Sequence, residues 1–329
     1  MRQIKFIQTL GFAVLFVASA LPATGQQSWG WDVNLQGGFL WRKQHSAPTA
    51  AEVVDITGPT YVGTESIVAT KNWTGGAAIR RRLDASSDFG LAYSGIFSTE
   101  TQRSFSSVFP VTLVLPGAIG APISSAVGGF AVDARTKARQ HVMDFDFGFG
   151  ADGAGPKIFA GMRFAYFTQA TRIDLPQAFF PVGAEFSHRR DDRFIGAGPR
   201  LRGQWTHTVA EGWNVIAGVD GSVLFGSQRF RTSTTGFGGV ATGDYKEEHA
   251  RVVYNAGGEL AVSRAWTNGL YLVLGYQASA WFGLRDNRRE LDAANTLAAG
   301  AGGTNLLPGG RRFPIDLTHG PFLRFGLRM

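Results

Sequence analysis

Seven arginines and four carboxylates are the residues best placed to do chemistry: Arg80, Arg82, Arg163, Arg200, Arg202, Arg324 and Arg328, with Asp144, Asp146, Asp220 and Glu259. Each occupies a polar position in a stretch where apolar and polar residues alternate, so all of them fall on one side of the wall those stretches build. Facing water, such a set lines a pore and biases it toward anions. Facing one another, the same groups form ion pairs that tie neighbouring strands and close the lumen. The residues alone leave both readings open.

Other constellations are weaker. Ser187-His188-Arg189-Arg190-Asp191-Asp192 holds a histidine and carboxylates, the materials of a water-activating hydrolase, but no further carboxylate–histidine partner completes a set, and a charged loop explains it. Asp244, Glu247, Glu248 and His249 could hold a divalent cation, yet Lys246 sits among them and the spacing fits no calcium loop. GFGADG at 148–153 has the spacing of a dinucleotide fingerprint but ends an alternating strand instead of opening a helix. The Asn72-Trp73-Thr74 sequon falls inside a predicted strand. No catalytic residue, metal or cofactor is expected, and the chain does not read as an enzyme.

The elements that position the charges are about ten alternating segments. In WGWDVNLQGGFLWR, Trp29, Trp31, Val33, Leu35, Phe39 and Trp41 share a face, and Asp32, Asn34, Gln36 and Arg42 lie on the other. Trp31 and Trp41 are ten residues apart, about 33 Å along a strand and roughly 23–24 Å once tilted by about 45°, close to the spacing of the aromatic girdles of a membrane barrel. Trp73, Trp205, Trp213 and Tyr276 join Trp29, Trp31 and Trp41 as expected girdle residues. Met143, Phe145, Phe147 and Phe149 alternate with Asp144, Asp146, Gly148 and Gly150, and Leu323, Phe325, Leu327 and Met329 with Arg324, Gly326 and Arg328. On the charged side, Tyr271, Trp281 and Phe322 take up space.

Short connections near 84–88, 151–156, 208–212 and 263–269 take turns with long ones near 43–71, 99–137, 169–192, 229–248 and 286–313. Bacterial barrels have short periplasmic turns, long outer loops and an even strand number. The expectation is an all-β, antiparallel up-and-down transmembrane barrel of about ten strands with both termini periplasmic. VFPVTLVLP, within 99–137, could add a hairpin and make twelve, but Pro110 and Pro116 argue against an interior strand there.

Residues 1–25 read as a cleaved secretory signal peptide, with Arg2 and Lys5 before a mostly apolar run and small residues Ala23-Thr24-Gly25 before Gln26. Residues 26–329 then form a single barrel domain. Mean hydropathy is −0.03, as expected when lipid-facing residues are diluted by polar ones. With Cys 0 there is no disulfide framework or thiolate chemistry. The formal charge of +7 is spread over scattered residues and builds no nucleic-acid module. The partners expected are outer-membrane lipid and lipopolysaccharide, small hydrophilic solutes and, during insertion, the barrel-assembly machinery; nothing specifies an oligomer.

HVMDFDFGFG at 141–150, FAGMRFAYFTQATRID at 159–174 and RFIGAGPRLRGQW at 193–205 are followed by SVLFG at 222–226, GYQASAWFGL at 275–284 and HGPFLRFGL at 319–327. In this order they resemble the pore-forming outer-membrane proteins related to the Legionella major outer membrane protein, over about residues 140–329. The resemblance implies a pore-forming outer-membrane barrel and brings no catalytic set; with the inward arginines, the expectation is passive diffusion of small hydrophilic solutes, with a mild preference for anions, across a Gram-negative cell envelope. The chain departs from many outer-membrane barrels in finishing on Met329 and not on an aromatic residue. The alternative reading is a non-conducting surface barrel, an adhesin or structural protein, acting through its outer loops.

Overall fold

A strand with one apolar and one polar face needs partners for its backbone and a different solvent for each face, and a closed ring of strands supplies both. The computed structural model describes residues 30–45, 52–55, 61–64, 71–84, 86–98, 101–107, 111–114, 123–124, 130–150, 155–175, 186–235, 243–284 and 315–329. The strands are β1 (Trp31–His45), β2 (Glu52–Asp55), β3 (Tyr61–Thr64), β4 (Lys71–Arg82), β5 (Ser87–Ser98), β6 (Thr101–Ser107), β7 (Val111–Val114), β8 (Ile123–Ser124), β9 (Phe130–Phe149), β10 (Gly155–Leu175), β11 (Phe186–Ala210), β12 (Trp213–Thr235), β13 (Gly243–Ala265), β14 (Leu270–Phe282) and β15 (Ile315–Arg328). Trp29 and the segment read as a signal peptide lie outside the described residues.

Ten strands close the barrel in the order β1, β4, β5, β9, β10, β11, β12, β13, β14 and β15, which returns to β1; every pairing is antiparallel. From Asp32 the ladder of paired residues runs through Arg80, Gly90, Asp146, Gly161, Arg200, Ser222, Asn255, Trp281 and Asp316 and arrives at Gln44, twelve residues farther along β1. Over ten strands that stagger corresponds to a tilt of roughly 40°.

The VFPVTLVLP stretch does not enlarge the ring. Its β7 pairs with β2 and β8, and with β3 these form a separate four-stranded sheet. β6 prolongs the β5 edge along β9, with Phe97 opposite Arg139 and Thr101 opposite Thr136.

The outward face is apolar: Leu35, Phe147, Phe149, Ile158, Leu201, Val219, Leu260 and Leu274 are all exposed, Val219 at 68%. So much uncovered apolar surface is stable only against lipid. β9 to β13 are 20 to 25 residues long, whereas the remaining barrel strands have 12 to 15. One side of the barrel therefore stands taller, and residues expected in the long connections 169–192 and 229–248 continue the strands instead. Beyond the lipid belt the outer face turns polar and the inner face mixes polar side chains with Ala134, Ile173 and Phe230, so the ladder runs on after the alternation has gone.

At the end with short connections, Asp84 organises the turn between β4 and β5. Its carboxylate accepts the backbone N–H of Ser86 at 2.7 Å and of Ser87 at 2.8 Å, and both serine hydroxyls. These bonds, led by the Ser87 hydroxyl, hold its carboxyl down at about 2. A depressed carboxyl stabilises the turn at every pH above its unfolded value, and the effect is lost as pH falls toward 2. Asp84→Ala is expected to speed amide exchange at Ser86 and Ser87 while the ring of strands stays protected; unchanged exchange would remove the cap.

Candidate functional site

Parity places the charged residues on the inner wall, and the register decides which of them meet. At the mouth with the short turns, Asp32 accepts the Tyr271 hydroxyl at 2.5 Å and Arg328 Nε at 3.3 Å. On the same level Asp88 pairs with both Arg80 and Lys157. The ring of Phe159 lies 4.4 Å from Arg80 Cζ, 5.6 Å from Arg202 Cζ and 5.9 Å from Lys157 Nζ, so three cations share one aromatic face or edge. Arg82 closes β4 at the rim and is exposed.

One layer farther in, Glu259 joins two strands that are not neighbours. Arg202 Nη2 reaches one of its oxygens at 2.5 Å and Arg324 Nη2 the other at 3.1 Å. Arg324 also donates to Gln36, which in turn donates to Gln277 at 3.1 Å.

The centre of the lumen is a five-charge node. Arg163 grips Asp144 with two bonds, at 2.7 and 2.9 Å, meets Asp220 at 2.9 Å and donates to Asn255. Arg200 pairs with Asp146 and lies 3.4 Å from Asp144 and 3.6 Å from Asp220. Two guanidiniums thus face three carboxylates, in surroundings where Arg163, Arg200, Asp144 and Asp146 are all buried. Bidentate guanidinium–carboxylate geometry fixes both partners and lowers the cost of holding them away from water.

Beyond the node, toward the long connections, the lumen narrows on apolar side chains. Trp281, Phe167, Phe194, Leu224, Val253, Val142, Ala165 and Leu284 form one buried cluster, with the Trp281 and Phe167 rings 4.6 Å apart edge to face. Arg163 Cζ sits 5.9 Å from the Trp281 ring, joining this layer to the node. Beside it Arg42 makes two bonds to Asp316. A cavity of about 20 Å³ next to Arg42, Phe167, Gln169 and Phe194 leaves room for about one water molecule.

All eleven charges singled out by sequence line this inner wall or its mouths. The bridges that gather them into pairs also recruit Asp32, Asp88 and Lys157, and Arg42 with Asp316 adds a further pair on the same wall. All five stand at the same parity: Asp32 and Arg42 already fall on the polar face of the first segment, and parity was the signal that could have found Asp88, Lys157 and Asp316. Of the girdle residues, Trp41, Trp73, Trp205 and Trp213 are exposed on the outer wall and Trp31 is half-buried beside Arg81, 5.3 Å from its ring. Tyr276 also faces out, its hydroxyl bonded to His319 Nδ1 at 2.5 Å.

The two stretches read as charged loops are strand. Ser187–Asp192 belongs to β11, with His188 buried on the inside and Asp191 outside in an ion pair with Arg189. Glu247, Glu248 and His249 belong to β13, and Glu248 turns outward to Arg229. Strand alternation therefore sends neighbouring members of each constellation to opposite faces.

A family model described as Legionella pneumophila major outer membrane protein precursor matches residues 123–304. The chain belongs to this family. Its place is the bacterial outer membrane, with the tall wall β9–β13 inside the matched region. No curated protein matches the chain. Similar solved barrels include the outer membrane protease OmpT from Escherichia coli (10% identity, 93% of this chain and 98% of that one, TM-score 0.40). The translocator domain of the autotransporter NalP from Neisseria meningitidis (10%, 100% and 98%, 0.37) and the toluene transporter TodX from P. putida (10%, 94% and 91%, 0.35) are others. Their activities range from proteolysis to transport, and similarity at this level carries no argument for any of them here.

Proposed function

We propose that this member of the Legionella major outer membrane protein family is a pore-forming protein, not an enzyme, that lets small ions and hydrophilic solutes cross passively, with a weak preference for anions. The observation that carries the reading is the succession of charged pairs along the lumen, from Asp32–Arg328 at one mouth through Glu259 and the central node to Arg42–Asp316. A wall needed only to fill space gains little from buried ion pairs, since apolar replacements are often equally stable. Paired charges that exchange partners offer a moving ion a substitute for its hydration shell. The preference follows from the balance of charge along the lumen: Arg202 and Arg324 share Glu259 and Arg80 and Lys157 share Asp88, which together outweigh the one surplus carboxylate of the central node.

The test is conductance of purified, refolded protein in a planar bilayer. Small single-channel steps are expected, because side chains occupy most of the lumen, and R202Q with R324Q is expected to move the reversal potential toward cations. Unchanged selectivity would remove both residues from the lining. The second reading, a surface barrel working through its outer loops, draws on the closed apolar layer around Trp281. It predicts insertion with no conductance at all.

A further inference from the structure

On the outer wall of β9–β12, the residues just beyond the lipid belt are strongly basic. The apolar face ends with Tyr166 and Ile195, which pair with each other, and with Phe225 and Val252, which pair on the following strands. Two residues farther along a strand lift a side chain by roughly 5 Å at this tilt. The next outward row is Arg139 on β9, Thr168 on β10, Arg193 on β11 and, one outward position past Ser227, Arg229 on β12, with Arg193 directly opposite Arg229. Four residues beyond Arg139, Arg135 stands opposite Arg172, and Arg172 stands opposite Arg189, so that three arginines lie side by side on adjacent strands.

Like charges directly opposite one another weaken a sheet, and such rows call for a compensating anion. No acid separates the opposed arginines within a row; Asp191 stands on β11 between the two rows, and Asp133 faces Asp174 one row beyond. Arg172 pairs with Asp174 and Arg189 with Asp191, each two residues along its own strand, and Arg229 pairs with Glu248. These bridges are exposed, so they hold weakly, and each uses at most two of the five N–H donors of its guanidinium. Arg193 Cζ lies 5.7 Å from the Tyr166 ring, which seats this cation at the edge of the apolar belt. A soluble anion has no reason to approach so close to the lipid; a lipid headgroup is already there.

We infer that this outward face of β9–β12 binds the phosphate groups of phosphorylated lipids in the outer leaflet, each phosphate being shared between guanidiniums of adjacent strands. Guanidinium donors match phosphate oxygens in pairs, and contact at the edge of the hydrocarbon strengthens each bond. The inference rests on the outer-membrane location and on the long-connection end facing outward, and it is independent of whether the lumen conducts.

The experiment uses the full-length protein refolded in phosphatidylcholine vesicles with bisphosphorylated lipid A, with dephosphorylated lipid A, or with neither. Bisphosphorylated lipid A is expected to raise the thermal unfolding midpoint, and dephosphorylated lipid A to leave it at the phosphatidylcholine value. In R135Q/R172Q/R189Q, binding of bisphosphorylated lipid A is expected to weaken by about tenfold or more. An equal shift from dephosphorylated lipid A, or undiminished binding by the variant, would overturn the site. A full shift from inorganic phosphate alone would overturn the lipid assignment. If the glutamine variant does not fold, the lipid series on the unaltered protein still decides.

Discussion

Arg163→Leu is expected to destabilise the barrel by about 3–5 kcal/mol, read as a lower urea midpoint for the folded protein in lipid. The side chain is buried and holds Asp144 and Asp220 together, and an apolar replacement leaves both carboxylates short of a counter-charge. The loss falls toward the lower part of that range because Arg200 lies within reach of the same two acids. Replacing Asp144 by Leu in the same chain removes one stranded charge and is expected to recover part of the stability. Conductance supplies a second reading: without Arg163 the node is more acidic, so permeation shifts toward cations. A urea midpoint that does not move would mean the node ties nothing together.

Trp281→Ala is expected to have the largest effect on permeation. The ring is 2% exposed and fills the lumen against Phe167, at the point where apolar side chains replace charges. Truncation leaves a cavity beside Arg42–Asp316 and the central node, and costs about 3–5 kcal/mol. If this layer is the barrier, single-channel conductance rises several-fold while selectivity stays with the unaltered charged pairs. Lost stability with no conductance before or after the change would favour the surface-barrel reading instead.

The two variants probe what the sequence made legible to different degrees. Parity was readable throughout the lipid belt because lipid and lumen demand different residues at alternate positions. That is why Arg163, Arg200 and Asp146 could be assigned to one face. Their partnership could not be read, since Arg200 and Asp146 are far apart in the chain and meet only because Asp146, Gly161 and Arg200 share a rung. Asp88 was hidden in a turn, and Asp316 lay ahead of the part of the last strand that alternates clearly. The upper portions of β10, β11, β12 and β13 were unreadable for the opposite reason. Above the lipid both faces meet polar surroundings, and a sequence such as Ser187–Asp192 looks like loop although its backbone remains fully paired.

The first and last strands of the ring meet along a seam that carries polar contacts at three heights. Arg42 binds Asp316 near one end, Gln36 accepts from Arg324 at 2.9 Å in the middle, and Arg328 reaches Asp32 at 3.3 Å at the other. The backbone pairing of β1 with β15 would look the same after a slide of two residues, because facing and hydrogen bonding repeat with that period. The side chains would not: such a slide in either direction takes Arg328 off Asp32 and Arg324 off Gln36, which stand directly opposite each other, and in one direction it also carries Arg42 away from Asp316. The three contacts act as a vernier on the closure of the cylinder, so the chain's two ends can find each other in only one alignment.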